Sequence, residues 1–234
     1  MRDEPKRALI EKSFRGLPIF KNLSDPHLLQ LSNDFITQHV KKGEIVFYQS
    51  DHSTDLYIVL EGSVRASLLG EDGDELILTA FNKGDFFGEM SLLDGKPRSA
   101  TIIAKEDSTL GVLKRERFLR AIKNDPAIAI DLLSAVVQRL RMADNMIESL
   151  AFLDVNERLL NLLLQIAATE GEKDENGFLK IKKLTHRELA SRTGASREAI
   201  TKVIKVLTFR KIIKEDEGNF LISPDAKNIT GMSL

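Results

Sequence analysis

Between Pro126 and Gly171 the chain runs for 44 residues without a glycine or a proline. Backbone hydrogen bonding can continue through such a stretch, so it reads as helix. Upstream, from Phe35 to Lys114, the pattern is different: short, branched segments at Glu44–Tyr48, Asp55–Leu60, Ser63–Leu69, Glu75–Phe81 and Ser108–Leu113. Turn signals separate them at Lys42-Gly43, Glu61-Gly62, Glu71-Asp72-Gly73 and Lys83-Gly84-Asp85. That spacing predicts a β-sandwich or barrel. With strands first and helices afterwards, the predicted class is α+β.

Within the long helix, Ile130, Leu133, Val137, Leu140, Ile147 and Ala151 recur at alternating three- and four-residue steps. This is the seam of a two-stranded coiled coil, whose second strand a second copy of the chain can supply. The other reading is a single helix folded back onto its own barrel. Asp144 falls on the seam, where a carboxylate destabilises a plain zipper unless something pairs with it; it points to a polar ligand or a register device. Beyond Phe152-Leu153-Asp154-Val155 a second amphipathic helix is expected from Glu157 to about Ala168, then a polar loop from Gly171 to Gly177. The predicted organisation is a β-domain over 1–124, a long helix and hinge over 125–154, and a smaller domain over 155–234.

The chain has no cysteine, which excludes thiolate-ligated iron–sulfur clusters, cysteine zinc sites, disulfides and redox-switch thiols. Met1 to Lys12 is charged throughout and no stretch of about 18 apolar residues occurs, so a cytoplasmic protein without a membrane partner is expected. The net charge of -1 hides a split: residues 155–234 carry 14 Lys/Arg against 11 Asp/Glu, and from Lys180 to Lys214 11 basic residues face only Glu188 and Glu198. Positive charge is concentrated where a polyanion would dock, although a solvated basic face has the same composition.

The string Gly84–Thr101 breaks strand alternation and joins glycines, a carboxylate and an arginine. Gly88 permits a close backbone approach, and Glu89 to Leu93 can form one helical turn with free N–H groups. Arg98 offers a fork of donors to phosphate oxygens and Ser99 a hydroxyl, while Glu89, an acceptor only, suits a sugar hydroxyl. A plain salt bridge between Glu89 and Arg98 is the competing reading.

Near the C-terminus Thr185-His186-Arg187-Glu188 reads as a capping box opening a short helix through Leu189 and Ala190. Thr193-Gly194-Ala195 supplies a turn, and Ser196 caps a second helix to about Phe209 that buries Ile200, Val203, Ile204 and Leu207. Its exposed face carries Arg197, Glu198, Thr201, Lys202 and Lys205; Arg or Lys donates to guanine and Glu accepts from cytosine in a major groove. A hairpin from Ile212 to Ile222, with Glu217-Gly218-Asn219 at its tip, follows. Thr185, Arg187 and Ser196 complete the candidate DNA-facing set.

The Gly88, Glu89, Arg98, Ser99 and Ala100 pattern resembles the cyclic-nucleotide-binding domain. From about Leu17 to Ile222 the chain is similar to the CRP/FNR family of transcription regulators, nearest to the cyclic-AMP-responsive members. The resemblance implies an N-terminal β-roll or jelly roll, a long dimerisation helix and a C-terminal winged helix-turn-helix. It implies Glu89 on the ribose 2′-hydroxyl, Arg98 and Ser99 on the cyclic phosphate, and Gly88 and Ala100 shaping the cassette, with Met90 and Ser91 in the same string. Arg139 matches a basic position near the phosphate. The hydroxyl pair that reads adenine in those relatives is replaced by Ala143 and Asp144, so cyclic AMP is the expected effector and cyclic GMP stays open.

The same likeness implies a homodimer on a palindromic double-stranded operator, contact with RNA polymerase, no metal and no enzymatic activity. At Lys202 the family's reading arginine becomes lysine, keeping charge but losing the fork. Two rivals remain: haem sensing through His39 or His52, and a nucleotide-gated module whose winged helix binds protein.

Overall fold

The apolar run Leu56–Leu60 is buried on both faces, which explains why it is continuous rather than alternating. Leu56, Ile58 and Leu60 enter one core and Tyr57 and Val59 another. The structure is a computed structural model that describes residues 17–20, 23, 25–71 and 73–226.

Among the described residues, eight strands build the N-terminal part: β1 Phe35–Val40, β2 Ile45–Phe47, β3 Leu56–Glu61, β4 Ser63–Leu69, β5 Glu75–Asn82, β6 Phe86–Phe87, β7 Thr101–Ala104 and β8 Ser108–Leu113. They form two four-stranded sheets in the orders β1-β8-β3-β6 and β2-β7-β4-β5. The pairings of β3 with β8 and β6, and of β7 with β2 and β4, are antiparallel. The predicted α+β class and double-sheet architecture are what the chain adopts. Sequence alternation did not single out β1, β6 or β7: β6 has two residues, and all four residues of β7 are buried, so neither shows a polar-apolar beat.

Helices α1 Asp25–Asn33, α2 Glu89–Asp94, α3 Arg115–Asn124 and the long α4 Ala127–Phe152 accompany the sheets. One stripe of α4, with Ile128, Leu132, Ala135 and Val136, packs into the core that holds Leu56 and Phe86. The predicted seam is a different stripe: Ile130, Leu133, Val137, Leu140 and Ile147 are 46–65% exposed. The helix thus packs on its own barrel along one stripe and leaves the heptad stripe uncovered on the other.

The C-terminal part comprises α5 Val155–Glu170, β9 Glu172–Lys173, β10 Leu179–Lys182, α6 His186–Thr193, α7 Arg197–Phe209, β11 Ile213–Asp216 and β12 Asn219–Ile222. Its sheet runs β11-β12-β10-β9. Leu159, Leu163, Leu189, Ile200, Ile204 and Phe220 are fully or almost fully buried in its core. The wing turns at Glu217 and Gly218, both with positive φ, as a two-residue hairpin connection with the right-handed twist requires.

α5 begins two residues before the sequence suggests. The Asp154 side chain accepts from Glu157 N at 2.9 Å and the Glu157 carboxylate accepts from Asp154 N at 2.8 Å, a complete reciprocal cap. The box expected at Thr185 closes only halfway. Thr185 Oγ1 accepts from Glu188 N at 3.1 Å, but the Glu188 carboxylate accepts instead from Arg192 Nη2 at 2.7 Å, one turn along the helix.

The chain divides into two compact units, one reaching Leu68 and resuming over Ile77–Met142, the other comprising Leu69–Leu76 and the residues from Ala143 onward. Among the described residues no helix is long and apolar enough to cross a membrane.

Candidate functional site

In the first unit the site is built where β6 ends. Phe86 points into one core and Phe87 into the other, and the chain must then reverse over a single residue. Gly88 does this at φ +85. A Cβ there would lie 2.6 Å from Arg98 Nη1 and 2.8 Å from the Asp55 carbonyl oxygen, so only glycine allows the approach. α2 follows at once, and Gly95 at φ +71 ends it by donating its N–H to the Ser91 carbonyl.

A small cavity of about 50 Å³ opens at this point. Seven residues singled out from the sequence line it: Gly88, Glu89, Met90, Ser91, Arg98, Ser99 and Ala100. Phe47, Ala66 and Ile102 complete the wall.

Arg98 and Glu89 do not pair with each other. The Arg98 guanidinium, 3% exposed, donates from Nε to Ser53 Oγ at 2.8 Å, from Nη1 to the Gly88 carbonyl at 2.9 Å and from Nη2 to the Asp55 carbonyl at 2.8 Å. Three of its five N–H donors are thus committed. Burial lowers its pKa from the ordinary value, against the opposing influence of Tyr57, Asp55 and Glu89. Its backbone is held as well, donating to the Asp51 carbonyl and accepting from Ser50 N.

Glu89, also buried, instead takes Arg139 Nη1 at 2.7 Å. Arg139 further donates to the Phe86 carbonyl and stacks over the Phe81 and Phe86 rings at 4.9 and 4.6 Å. Ser99 is exposed and its hydroxyl donates to Met90 Sδ at 3.4 Å, an interaction weak enough to be exchanged. Ala143 follows Arg139 by one helical turn and Asp144 is next to it; both are exposed. The Asp144 carboxylate is in no hydrogen bond or ion pair among the described residues.

Sequence reasoning missed the loop between β2 and β3, which supplies Ser53 and Asp55 to Arg98. It also missed Phe47 and Tyr57, whose rings lie 4.1 and 5.5 Å from the guanidinium carbon. None of these has a local signature: Ser53 is 45 residues from Arg98 and Asp55 is 43.

In the second unit, α6 and α7 meet across a turn at Gly194, which has φ +62. Ser196 caps α7 by accepting from Ala199 N at 3.1 Å. Arg187, Arg197, Glu198, Lys202 and Lys205 are exposed, and none of them is in an ion pair among the described residues. Thr201 departs from the expected open face. It is half-buried, donating to the Arg197 carbonyl at 2.9 Å and lying 2.8 Å from His186 Nδ1, so it ties α7 to α6. Lys183 is committed to Glu215, and Lys214 rests 4.5 Å from the Phe178 ring centre.

His39 Nδ1 lies 3.2 Å from Thr109 Oγ1 and His52 is exposed. Among the described residues no three His, Asp or Glu gather as a metal site.

The sequence matches the cyclic nucleotide-binding domain over residues 37–125 and the Crp-like helix-turn-helix domain over residues 157–227. It is 32% identical over 205 residues to the cyclic AMP receptor protein of Thermus thermophilus, covering 87% of this chain and 91% of that one. The cAMP-activated global transcriptional regulator CRP of Salmonella typhimurium is 31% identical over 184 residues, 78% of this chain and 87% of that one. The crystal structure of Thermus thermophilus catabolite activator protein is 30% identical with a TM-score of 0.53, covering 91% of this chain and 98% of that one. The c-di-GMP responsive regulator CLP of Xanthomonas campestris shares the fold at a TM-score of 0.75 and 22% identity, over 85% and 99% of the two chains.

Proposed function

The chain belongs to the CRP/FNR family of cyclic-nucleotide-binding transcription regulators, which are not enzymes, and on that footing we propose that it is a cytoplasmic homodimer whose operator affinity is switched by cyclic AMP. One observation carries the reading: a buried arginine with unspent N–H donors and a buried carboxylate held by a second arginine border a single cavity. Arg98 and Ser99 would hold the cyclic phosphate and Glu89 the ribose hydroxyl, with Gly88, Met90, Ser91 and Ala100 forming the wall. Arg139 would carry the ligand's arrival into the long helix.

In the dimer the exposed seam of α4 pairs with its copy, excluding from water the apolar side chains that the single chain leaves uncovered. Ligand binding then extends the helix pair and turns the hinge around Phe152–Val155. The two copies of α7 enter successive major grooves about 34 Å apart. Arg197, Glu198 and Lys202 would read base edges, while Arg187 and Lys205 meet phosphate. Thr185 and Ser196, whose hydroxyls serve as helix caps, and Thr201 would contribute at the periphery. RNA polymerase is the expected protein partner.

A second reading, cyclic GMP, is favoured by Asp144. A free carboxylate can accept from guanine N1–H and its amino group together, an arrangement adenine cannot match.

Calorimetric titration of the purified protein with cyclic AMP, cyclic GMP and cyclic di-GMP, on wild type, Arg98→Ala and Asp144→Ser, tests the sensor half. Anisotropy of palindromic and scrambled duplexes at physiological salt, with and without nucleotide, tests the output. Binding by wild type, lost in Arg98→Ala, is expected. Equal affinity for the two duplexes, or nucleotide-dependent DNA binding that survives Arg98→Ala, sinks the proposal.

A further inference from the structure

Arg98 is buried as a cation with no carboxylate paired to it among the described residues, although three carboxylates lie close enough to bias it. Each of the three is occupied elsewhere. The Asp55 carboxylate takes Lys114 Nζ at 2.7 Å, the Glu89 carboxylate takes Arg139 at 2.7 Å, and the Asp51 carboxylate accepts from Tyr48 N at 2.8 Å. A buried ion without a counter-charge is costly unless polar groups replace its hydration. Three neutral oxygens do part of this. The guanidinium carbon also lies over rings, 4.1 Å from the centre of Phe47 and 5.5 Å from that of Tyr57.

Those rings are not isolated. Phe47 touches Tyr57 at 5.4 Å, Tyr57 stacks on Phe87 at 5.1 Å, and Phe87 stacks on Phe81 at 5.4 Å, the ring that carries Arg139. Fixed rings cannot swing toward a competing cation as a carboxylate can. Their negative faces offset burial of the guanidinium without cancelling its charge. An arginine neutralised by Glu89 would present no net charge to an anion; one seated on rings still does.

We propose that Phe47 is a positioning residue for anion recognition: its ring face, supported by Tyr57, holds Arg98 in the cavity wall as a fully charged, unpaired cation. Phe47 itself need not touch the ligand's charge, since it acts through Arg98. The inference rests on the reading of this cavity as an anion-binding site, but not on which nucleotide fills it.

The test separates ring electrostatics from ring volume. Phe47 is replaced site-specifically by phenylalanine bearing one, two or three fluorines, which drain the ring face with little change in size, and by leucine. Affinity for the cyclic nucleotide that wild type binds tightest, and for inorganic phosphate, is measured by calorimetry beside the denaturation midpoint. Affinity should fall progressively with fluorination, by about three- to thirty-fold across the series, and by a similar factor in Phe47→Leu. A flat fluorine series, with loss only in Phe47→Leu, means that Phe47 merely fills space and overturns the proposal. If wild type binds phosphate or another nucleotide but not cyclic AMP, the effector assignment fails while the platform is still judged by its own series. If wild type binds no anion at this site, the platform fails with it.

Discussion

Arg139 reaches from the long helix to the Glu89 carboxylate at 2.7 Å, the two side chains being 23% and 7% exposed. A helix that presents an apolar seam to solvent is therefore fastened to the nucleotide cassette by a largely dry ion pair. The carboxylate assigned to the ribose is already engaged before any ligand arrives. A sugar hydroxyl that enters must share or displace a charge-assisted bond, and the residue it disturbs sits between Val137 and Leu140 of the seam.

Breaking this pair from one side should cost more than removing it whole. Arg139→Ala leaves a buried carboxylate without a partner, and because the arginine is partly exposed the loss should fall toward the low end of about 3–5 kcal/mol. Both tyrosines, Tyr48 and Tyr57, lie in the first unit and the chain has no tryptophan, so tyrosine emission during urea unfolding reports on that unit alone. Arg139→Ala combined with Glu89→Gln should recover at least about 1 kcal/mol of the summed losses. Simple additivity would show that the pair is not coupled.

Gly88→Ala introduces a Cβ at φ +85, 2.8 Å from a backbone oxygen and 2.6 Å from an arginine nitrogen that is itself hydrogen-bonded. The Asp55 carbonyl cannot yield without moving β3. A loss of about 1–3 kcal/mol in the same urea assay is expected, together with weaker nucleotide binding because Arg98 is pushed off its acceptors. Unchanged affinity would mean that the cassette relaxes elsewhere.

The second unit has a pH-dependent element in its reciprocal cap. The Glu157 N–H bond to the Asp154 carboxylate holds its pKa below the ordinary value. A depressed folded value stabilises at pH above the unfolded value of about 3.9 and is lost as pH falls through the folded one. Asp154→Ala should cost about 1 kcal/mol at neutral pH, measured by a circular-dichroism melt. The gap between variant and wild type should shrink below about pH 4. A gap independent of pH would place the stabilisation outside the ionised carboxylate.

In the helix-turn-helix, Arg187 of α6 and Lys202 of α7, neither in an ion pair among the described residues, would make two different kinds of DNA contact. Arg187→Ala should weaken binding to all duplexes alike and reduce the salt slope by about one. Lys202→Arg restores a bidentate fork and should sharpen discrimination at one base pair, read by anisotropy with half-site variants. Equal behaviour of the two variants would remove the distinction.

Much of this architecture could be read along the chain because its signals are local. The glycine- and proline-free stretch marked α4, the heptad steps marked the stripe that stays exposed, and Thr185, Gly194 and Ser196 marked the helix-turn-helix within one turn of each cap. The cassette was legible for the same reason: Gly88, Glu89, Arg98 and Ser99 fall within a dozen residues. That the capping box at Thr185 would close only halfway was not legible, because Glu188 had the choice of Thr185 and Arg192 and the helical i,i+4 geometry favoured the arginine.

What the sequence determined by itself, then, was the set of groups present and the elements that carry them: an arginine, a carboxylate, two helices and a wing. Who pairs with whom was decided by the fold alone. Glu89 met Arg139, 50 residues away, and Arg98 met Ser53, Asp55 and the Phe47 ring, because strand order brings distant segments together while sequence spacing constrains only near neighbours. An arginine left unneutralised in a buried wall is a property of that three-dimensional pairing, and no pattern along the chain encodes it.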